Sequence, residues 1–429
     1  MRGAFAAGGK MDPVATTMIL IAGLLLVGAL GEFVFARTGV PDVVWLVAAG
    51  ILAGPVFGVV SPTALTPGVP FFGGIALTVI LSSGAFRLRL AEVAAAAPRG
   101  ILLGVLGFAF SVMAVCLFLW LATELGFVRR TPPMLWLMAG AIVGGTSSII
   151  MPTVAKGTVP GRVARVVEVE SASTDALSIV LATVIIDLIV SGDADLSRPL
   201  VALGTQIGEG IGLGVIAAAV LVPLIPPLQR SPHSYTTFLA AMLALYAITE
   251  SLDGSGAMAV LTSSLLLGNA ASIVPRLFPG AQGQVFIPSQ TALLMQDQMS
   301  FLIKSFFFFL IGLMFPTDLR QIALAGVAAV FLFLFRIPAV MLATKGIGFG
   351  KKDLWLLNVA MPRGLAAGVL ATLPLQRGIP DLENAAPTVF ALIVFSVLFF
   401  AAGISIVGRL PDDPGRRVDP PDAPTTQVK

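Results

Sequence analysis

Stretches of about 20 mostly apolar residues recur along the whole 429-residue chain. Each is long enough to cross the roughly 30 Å hydrocarbon core of a bilayer as a helix. Backbone amides in hydrocarbon must find their partners inside the segment, so such a chain folds as a bundle of membrane helices. Thirteen spans are predicted, at residues 14–36, 42–60, 69–86, 100–123, 134–155, 163–190, 200–226, 235–249, 256–275, 298–315, 322–345, 354–375 and 386–408. Only 11% of the residues are charged, less than half of the roughly 25% of a soluble domain. The predicted fold class is an all-α polytopic membrane protein of about 13 transmembrane helices. One membrane domain, 14–408, lies between a short segment, 1–13, and a tail, 409–429, whose polar, Pro-rich sequence is expected to be disordered. The first apolar run lacks the cleavage pattern of a secretory signal peptide.

The residue inventory removes several classes of function. With one Cys (Cys116) and one His (His233), neither an intramolecular disulfide nor a Cys- or multi-His metal centre is available. A formal charge of +3 is too small to point to nucleic acid. The chain shows no nucleotide loop, no metal motif and no carboxylate pair in a soluble cleft, so neither an enzyme nor a cofactor is expected. Basic residues orient the spans. Odd-numbered connections and the C-terminal tail, with Arg165 and Lys345 at the adjoining span ends counted in, carry 16 Lys and Arg, the opposite side 7, and Lys304, Arg336 and Arg363 lie deeper inside spans. The positive-inside bias puts the C-terminus in the cytoplasm and the N-terminus outside a cell membrane.

Four features fall near span centres. An ionisable group there is expensive and marks function by default. Asp175 is mid-way along the sixth span and Arg336 along the eleventh. Gly144-Gly145-Thr146-Ser147-Ser148, with Pro152 after it, interrupts the fifth span, and Met361-Pro362-Arg363-Gly364 interrupts the twelfth. Backbone groups released by such breaks survive at membrane depth only inside protein or beside a wet cavity. Breaks seven spans apart lie in oppositely oriented helices, the pattern of inverted repeats whose two broken helices cross at a substrate site. On the sixth span, Ser171 and Asp175 are four residues apart and share a helical face, with Glu170 and Thr174 on a face about 100° around. A hydroxyl and a carboxylate on one face suit a hard cation such as Na⁺ or Li⁺.

These residues, in this order, resemble the monovalent cation/proton antiporter superfamily, and within it the sodium/proton exchanger family, over roughly residues 14–408. The family's Glu-Ser-x-x-Asn-Asp signature is similar to Glu170-Ser171-Ala172-Ser173-Thr174-Asp175. Its fifth-span Thr looks like Thr146, its eleventh-span basic residue like Arg336, and its Pro-Arg-Gly like Pro362-Arg363-Gly364. Weaker echoes are GVPDVVWLVAAGILAGP (39–55), GSGAMAVLTSSLLLGN (254–269) and FFFFLIGLMF (306–315). The resemblance implies a homodimeric secondary antiporter with alternating access, in which Na⁺ or Li⁺ and a proton compete at Asp175. Thr146 and Ser171 then add neutral oxygens, with Glu170 carried both as an ion-site residue and as the partner of Arg336. Arg336, Glu170 and Thr174 are expected to stabilise the core, and Gly145, Ser147, Pro362, Arg363 and Gly364 to shape the crossing. A rival role for Arg336 is compensation of Asp175 in the ion-free state.

Two departures bear on the ion. Thr174 stands where the family has Asn or Asp, and a hydroxyl brings no second titrating charge, so one-for-one, electroneutral exchange is expected. Ser82 and Ser83 occupy the third-span neighbourhood where many relatives carry an acid, which leaves K⁺/H⁺ exchange open. A non-exchanging channel or sensor is the alternative of a different class. Lys304 reads as a snorkelling Lys or a partner for Asp297, and His233 as a loop residue or pH sensor. Glu32, Glu124, Asp187 and Glu250 read as interfacial, Cys116 and Phe306 to Phe309 as packing.

Overall fold

A computed structural model describes residues 42–59, 69–87, 90–147, 159–192, 197–228, 233–277, 290–346, 348–379 and 385–410, with scattered positions between 18 and 34. The terminal stretches 1–13 and 411–429, and with them Ser148 and Pro152, lie outside the described residues, as does Glu32. Every regular element among the described residues is helical. In chain order these are α1 (Asp42–Ile51, continued by a π-helical turn over Leu52–Val56), α2 (Val69–Arg87), α3 (Leu90–Glu124), α4 (Pro133–Gly144) and α5 (Gly161–Ser191). Then follow α6 (Ser197–Leu228), α7 (Ser234–Ser251), α8 (Gly256–Gly268), α9 (Ala270–Leu277) and α10 (Gln290–Leu313). The last are α11 (Leu319–Thr344), α12 (Lys351–Val359), α13 (Leu365–Leu370), α14 (Leu373–Gln376) and α15 (Ala385–Val407). Six described helices are long and apolar enough to cross a membrane.

Local chemistry sets several of the ends. Asp318 accepts from Arg320 N at 2.9 Å at the start of α11, and Ser255 from Met258 N at 3.4 Å at the start of α8. Asp353, buried in the first turn of α12, accepts from Gly350 N at 3.3 Å and pairs with Arg162 of α5. Two spans start earlier than hydropathy predicts. α3 begins at Leu90, not 100, and α10 at Gln290, not 298. The added turns are Ala-rich in α3, where Glu92, Pro98 and Arg99 lower the hydropathy, and hold Gln, Leu and Met in α10, mostly good helix formers. Lys304 therefore sits in the second half of a 24-residue helix instead of near its start.

The helices sort into two groups by their contacts. In one, α3 lies at the centre of α4, α5 and α11, with α12, α13 and α15 closing around them. In the other, α8 packs on α2, α6 and α7, and α10 packs on α1 and α2. The sequence echoes outside the breaks meet in the second group. A Cβ on Gly50 of α1 would lie 2.2 Å from Phe309 O, and one on Gly312 of α10 2.2 Å from Val47 O. Backbone against backbone is how membrane helices gain dispersion where lipid offers no hydrophobic drive. The short α13 rests against α2 and so joins the two groups.

Candidate functional site

At both predicted breaks the described backbone leaves the helix. α4 stops at Gly144, and Gly145 is extended (φ −71°, ψ 143°), as is Gly364 (φ −122°, ψ −156°) just before α13. Residues 360–364 between α12 and α13 are non-helical. The two extended stretches cross, with Ser147 N donating to Pro362 O at 2.8 Å. A Cβ on Gly364 would fall 2.4 Å from the Ser147 side chain, so the crossing closes only over a glycine.

A helix ending inside the bundle leaves unpaired carbonyls and a partial negative charge. Arg363 answers both at the end of α4. Its Nη1 donates to Gly144 O and Gly145 O, each at 2.7 Å, and Nη2 to Ser111 Oγ of α3 at 3.0 Å. Its backbone N donates to Ser396 Oγ of α15 at 2.8 Å. One residue, 1% exposed, thus ties α3 and α4 by its side chain and α15 by its backbone N to the twelfth-span break. It has no carboxylate partner among the described residues.

α5 supplies the other wall. Glu170, fully buried, takes Arg336 of α11 in a bidentate pair, Nη1 to Oε1 at 2.7 Å and Nη2 to Oε2 at 2.9 Å. Arg336 Nε donates to Leu357 O of α12 at 2.8 Å, which satisfies the remaining face of the guanidinium. The pair lies beside Gly107 of α3, whose absent Cβ would stand 3.5 Å from Glu170 Oε1. Of the two roles expected for Glu170, the geometry supplies the pairing one, because both carboxylate oxygens already carry a guanidinium hydrogen.

The fifth-span break is clamped to α5 by hydroxyls. Thr146 N donates to Thr174 Oγ1 at 3.0 Å, and Ser171 Oγ donates to Thr146 O at 3.0 Å. Thr146 Oγ1 reaches Glu170 Oε1 and Thr174 Oγ1, both at 3.3 Å. The Thr146 hydroxyl, expected beside the ion, thus stands on the Glu170 side. Thr174, in the position where an Asn or Asp was the family expectation, does a backbone-pairing job that its single hydroxyl can perform. Asp175 differs from all of these. It is half-buried, on the face of α5 toward Gly145, with no hydrogen-bond or ion-pair partner among the described residues.

Other predicted residues stand apart from the crossing. Lys304 is half-buried with Nζ 6.0 Å from the Phe301 ring, and Asp187 pairs at 3.6 Å with Arg377, both more than half exposed. Glu250 accepts from Gly256 N at 2.9 Å, Glu124 lies 3.7 Å from Arg130, and exposed His233 precedes α7. Cys116 is a half-buried free thiol. Ser111, Ser396 and the Arg162–Asp353 pair were not foreseen. A Ser near the middle of each of two mostly apolar spans was the available signal for the first two.

With this geometry in view, comparison with known proteins is decisive. The profile of the family described as "Sodium/hydrogen exchanger, transmembrane" matches residues 21–409. The chain belongs to that family. Among its relatives, the K(+)/H(+) antiporter NhaP2 of Shewanella sp. (strain ANA-3) is 28% identical over 421 residues, covering 93% of this exchanger-family chain and 68% of the relative. Na(+)/H(+) antiporter 1 of Methanocaldococcus jannaschii is 27% identical over 397 residues, covering 90% and 88%. The solved structure of the sodium proton antiporter MjNhaP1 from the same archaeon, at pH 8, superposes with a TM-score of 0.73 at 19% identity, over 92% of this chain and 100% of that one. The fold of this exchanger-family member is thus the antiporter fold, and it is a multi-pass membrane protein of the cation/proton antiporter family.

Proposed function

We propose that the protein exchanges Na⁺ or Li⁺ for H⁺ across a cell membrane, by competition of the two for Asp175. The observation that carries this reading is the contrast at the crossing. Glu170 and Arg336 there neutralise each other and the Arg363 side chain is held by Gly144 O, Gly145 O and Ser111 Oγ, whereas Asp175 has no hydrogen-bond or ion-pair partner among the described residues. A partly desolvated carboxylate is stable only when neutralised, and a proton or a cation each does that. If only the two neutralised states let the site change its exposure, the two fluxes are coupled. The moving body is the group built on α3, α5 and α11 with both breaks, rocking against the α2, α8 and α10 group. With Glu170 held by Arg336 and Thr174 uncharged, one titrating carboxylate serves the site, and exchange is one-for-one and electroneutral.

The 16-to-7 distribution of basic residues supports a cytoplasmic C-terminus and an outer N-terminus. The membrane is the cell membrane, and the assembly is a homodimer formed through helices outside the moving group. A second reading, K⁺/H⁺ exchange on the same residues, is favoured by one specific finding: the NhaP2 relative is named for K⁺.

The test is proton flux in proteoliposomes, with Na⁺, Li⁺ or K⁺ added in turn and the voltage clamped or free. Flux driven by Na⁺ or Li⁺ and indifferent to voltage is expected. Flux driven only by K⁺ would establish the second reading, and a voltage-dependent flux would mean that a second charge moves. No cation-coupled flux would overturn both readings in favour of a channel or sensor.

A further inference from the structure

Ser178 lies on α5 three residues beyond Asp175 and four beyond Thr174. It is 1% exposed, and its hydroxyl has no hydrogen-bond partner among the described residues. Hydroxyls on membrane helices ordinarily return to a carbonyl three or four residues back, and several in this chain do, although the buried hydroxyls of Ser263, Ser300 and Ser305, away from the crossing, also lack a partner among the described residues. Ser173 donates to Val169 O at 2.7 Å, Thr183 to Ile179 O at 2.9 Å, Thr249 to Leu245 O at 2.8 Å and Thr344 to Val340 O at 2.7 Å. Ser178 leaves that bond unmade although Thr174 O is in place for it. The Cβ position of Gly145 shows where the hydroxyl is aimed. That point is 2.6 Å from Ser178 Oγ, 3.2 Å from Thr174 O and 3.5 Å from Asp175 Oδ1. Three oxygens of α5 therefore converge on the bare edge of the fifth-span break, next to the open carboxylate.

A buried hydroxyl without a partner is unfavourable, and a folded protein keeps few of them. Here the group it lacks is supplied by the chemistry of the neighbouring carboxylate. We propose that Ser178 is a further member of the cation site, its hydroxyl oxygen serving as a neutral ligand to the dehydrated monovalent cation held at Asp175. The proposal rests on the reading of Asp175 as the shared site. A hydroxyl oxygen is a hard donor of the type Na⁺ and Li⁺ prefer, and it adds no charge that would change the stoichiometry. Ser178 then favours the cation-bound state over the protonated one, which is the differential interaction that competition at one carboxylate requires.

Ser178→Ala and Ser178→Cys, in the full chain, test this beside Asp175→Asn. Two readouts are taken: the cation-concentration dependence of proton flux in proteoliposomes, and the rise in melting temperature of purified protein as Na⁺, Li⁺ or K⁺ is added. Without cation, Ser178→Ala should melt at or above the parent temperature, since an unsatisfied polar group has been removed. Its apparent affinity for the preferred cation should fall about five- to tenfold, with maximal rate changed less. Ser178→Cys, of similar size with a soft sulfur, should behave as Ala does toward Na⁺ and Li⁺. Unchanged cation affinity and selectivity in both variants, with Asp175→Asn inactive, would overturn the role of Ser178 and leave the Asp175 reading standing. A lower melting temperature of the cation-free Ala variant at unchanged affinity would make the hydroxyl structural, also against the proposal. Retained exchange in Asp175→Asn would remove the site itself and Ser178 with it.

Discussion

Glu170 and Asp175 are five residues apart on one helix and carry the same functional group, yet their surroundings are opposite. Glu170 is fully buried with a bidentate Arg336 and a hydroxyl from Thr146, while Asp175 is half-buried with no partner among the described residues. A buried ion pair that loses one member leaves an uncompensated charge in a low-dielectric interior. A carboxylate left open in the native state is instead free to take whatever neutralises it. The difference teaches that chemical identity does not set the role of an intramembrane acid. What sets it is whether the fold brings a permanent counter-charge, and only the acid without one can exchange its counter-ion.

The largest expected effect lies on the paired side. Arg336→Ala and Glu170→Ala should each destabilise the protein by roughly 3–5 kcal/mol, measured by denaturation in detergent. The double variant should lose much less than the sum of the two, because the second substitution removes a charge the first had stranded. Additive losses would mean that the two residues do not depend on each other, and the contrast with Asp175 would lapse. Thr174→Val should come next, at roughly 1–3 kcal/mol, since it removes the acceptor of Thr146 N and frees the break from α5. Arg363→Lys should weaken the crossing by an amount near the lower end of that range. An ammonium keeps the charge at the end of α4 but cannot spread over Gly144 O, Gly145 O and Ser111 Oγ as a forked guanidinium does. A parent-like melting temperature in Arg363→Lys would show that charge alone holds the break. The smallest effect on stability belongs to Asp175→Asn, which should melt at or slightly above the parent because no native partner is lost.

The all-helical membrane fold, the loss of helix at Gly145 and at 360–364, and the Glu170–Arg336 pair are legible in the sequence, and for the same reason. Hydrocarbon has few ways to satisfy a charged group, so Arg336 in an apolar span calls for a buried partner, and Glu170 is the acid rotated off the Ser171 face. What could not be read depends on contacts between distant parts of the chain. That Arg363 caps α4 joins residues more than 200 positions apart through main-chain carbonyls, which have no residue type to betray them. The Thr146 hydroxyl was expected beside the ion because the family resemblance implied it. Its rotation toward Glu170 is fixed by the crossing, where Ser147 N meets Pro362 O. The start of α10 was misplaced because Gln290 to Asp297 is polar by hydropathy while its residues favour helix.

The most direct test of the account is cation-driven proton flux through Asp175→Asn in proteoliposomes, beside the parent and beside Glu170→Gln. The account predicts that Asp175→Asn inserts and melts like the parent but moves no protons in response to Na⁺, Li⁺ or K⁺. Glu170→Gln should melt lower and, where it remains folded, still exchange. Cation-coupled proton flux through folded Asp175→Asn would contradict the central claim, because an amide cannot hold the proton for which the cation is exchanged.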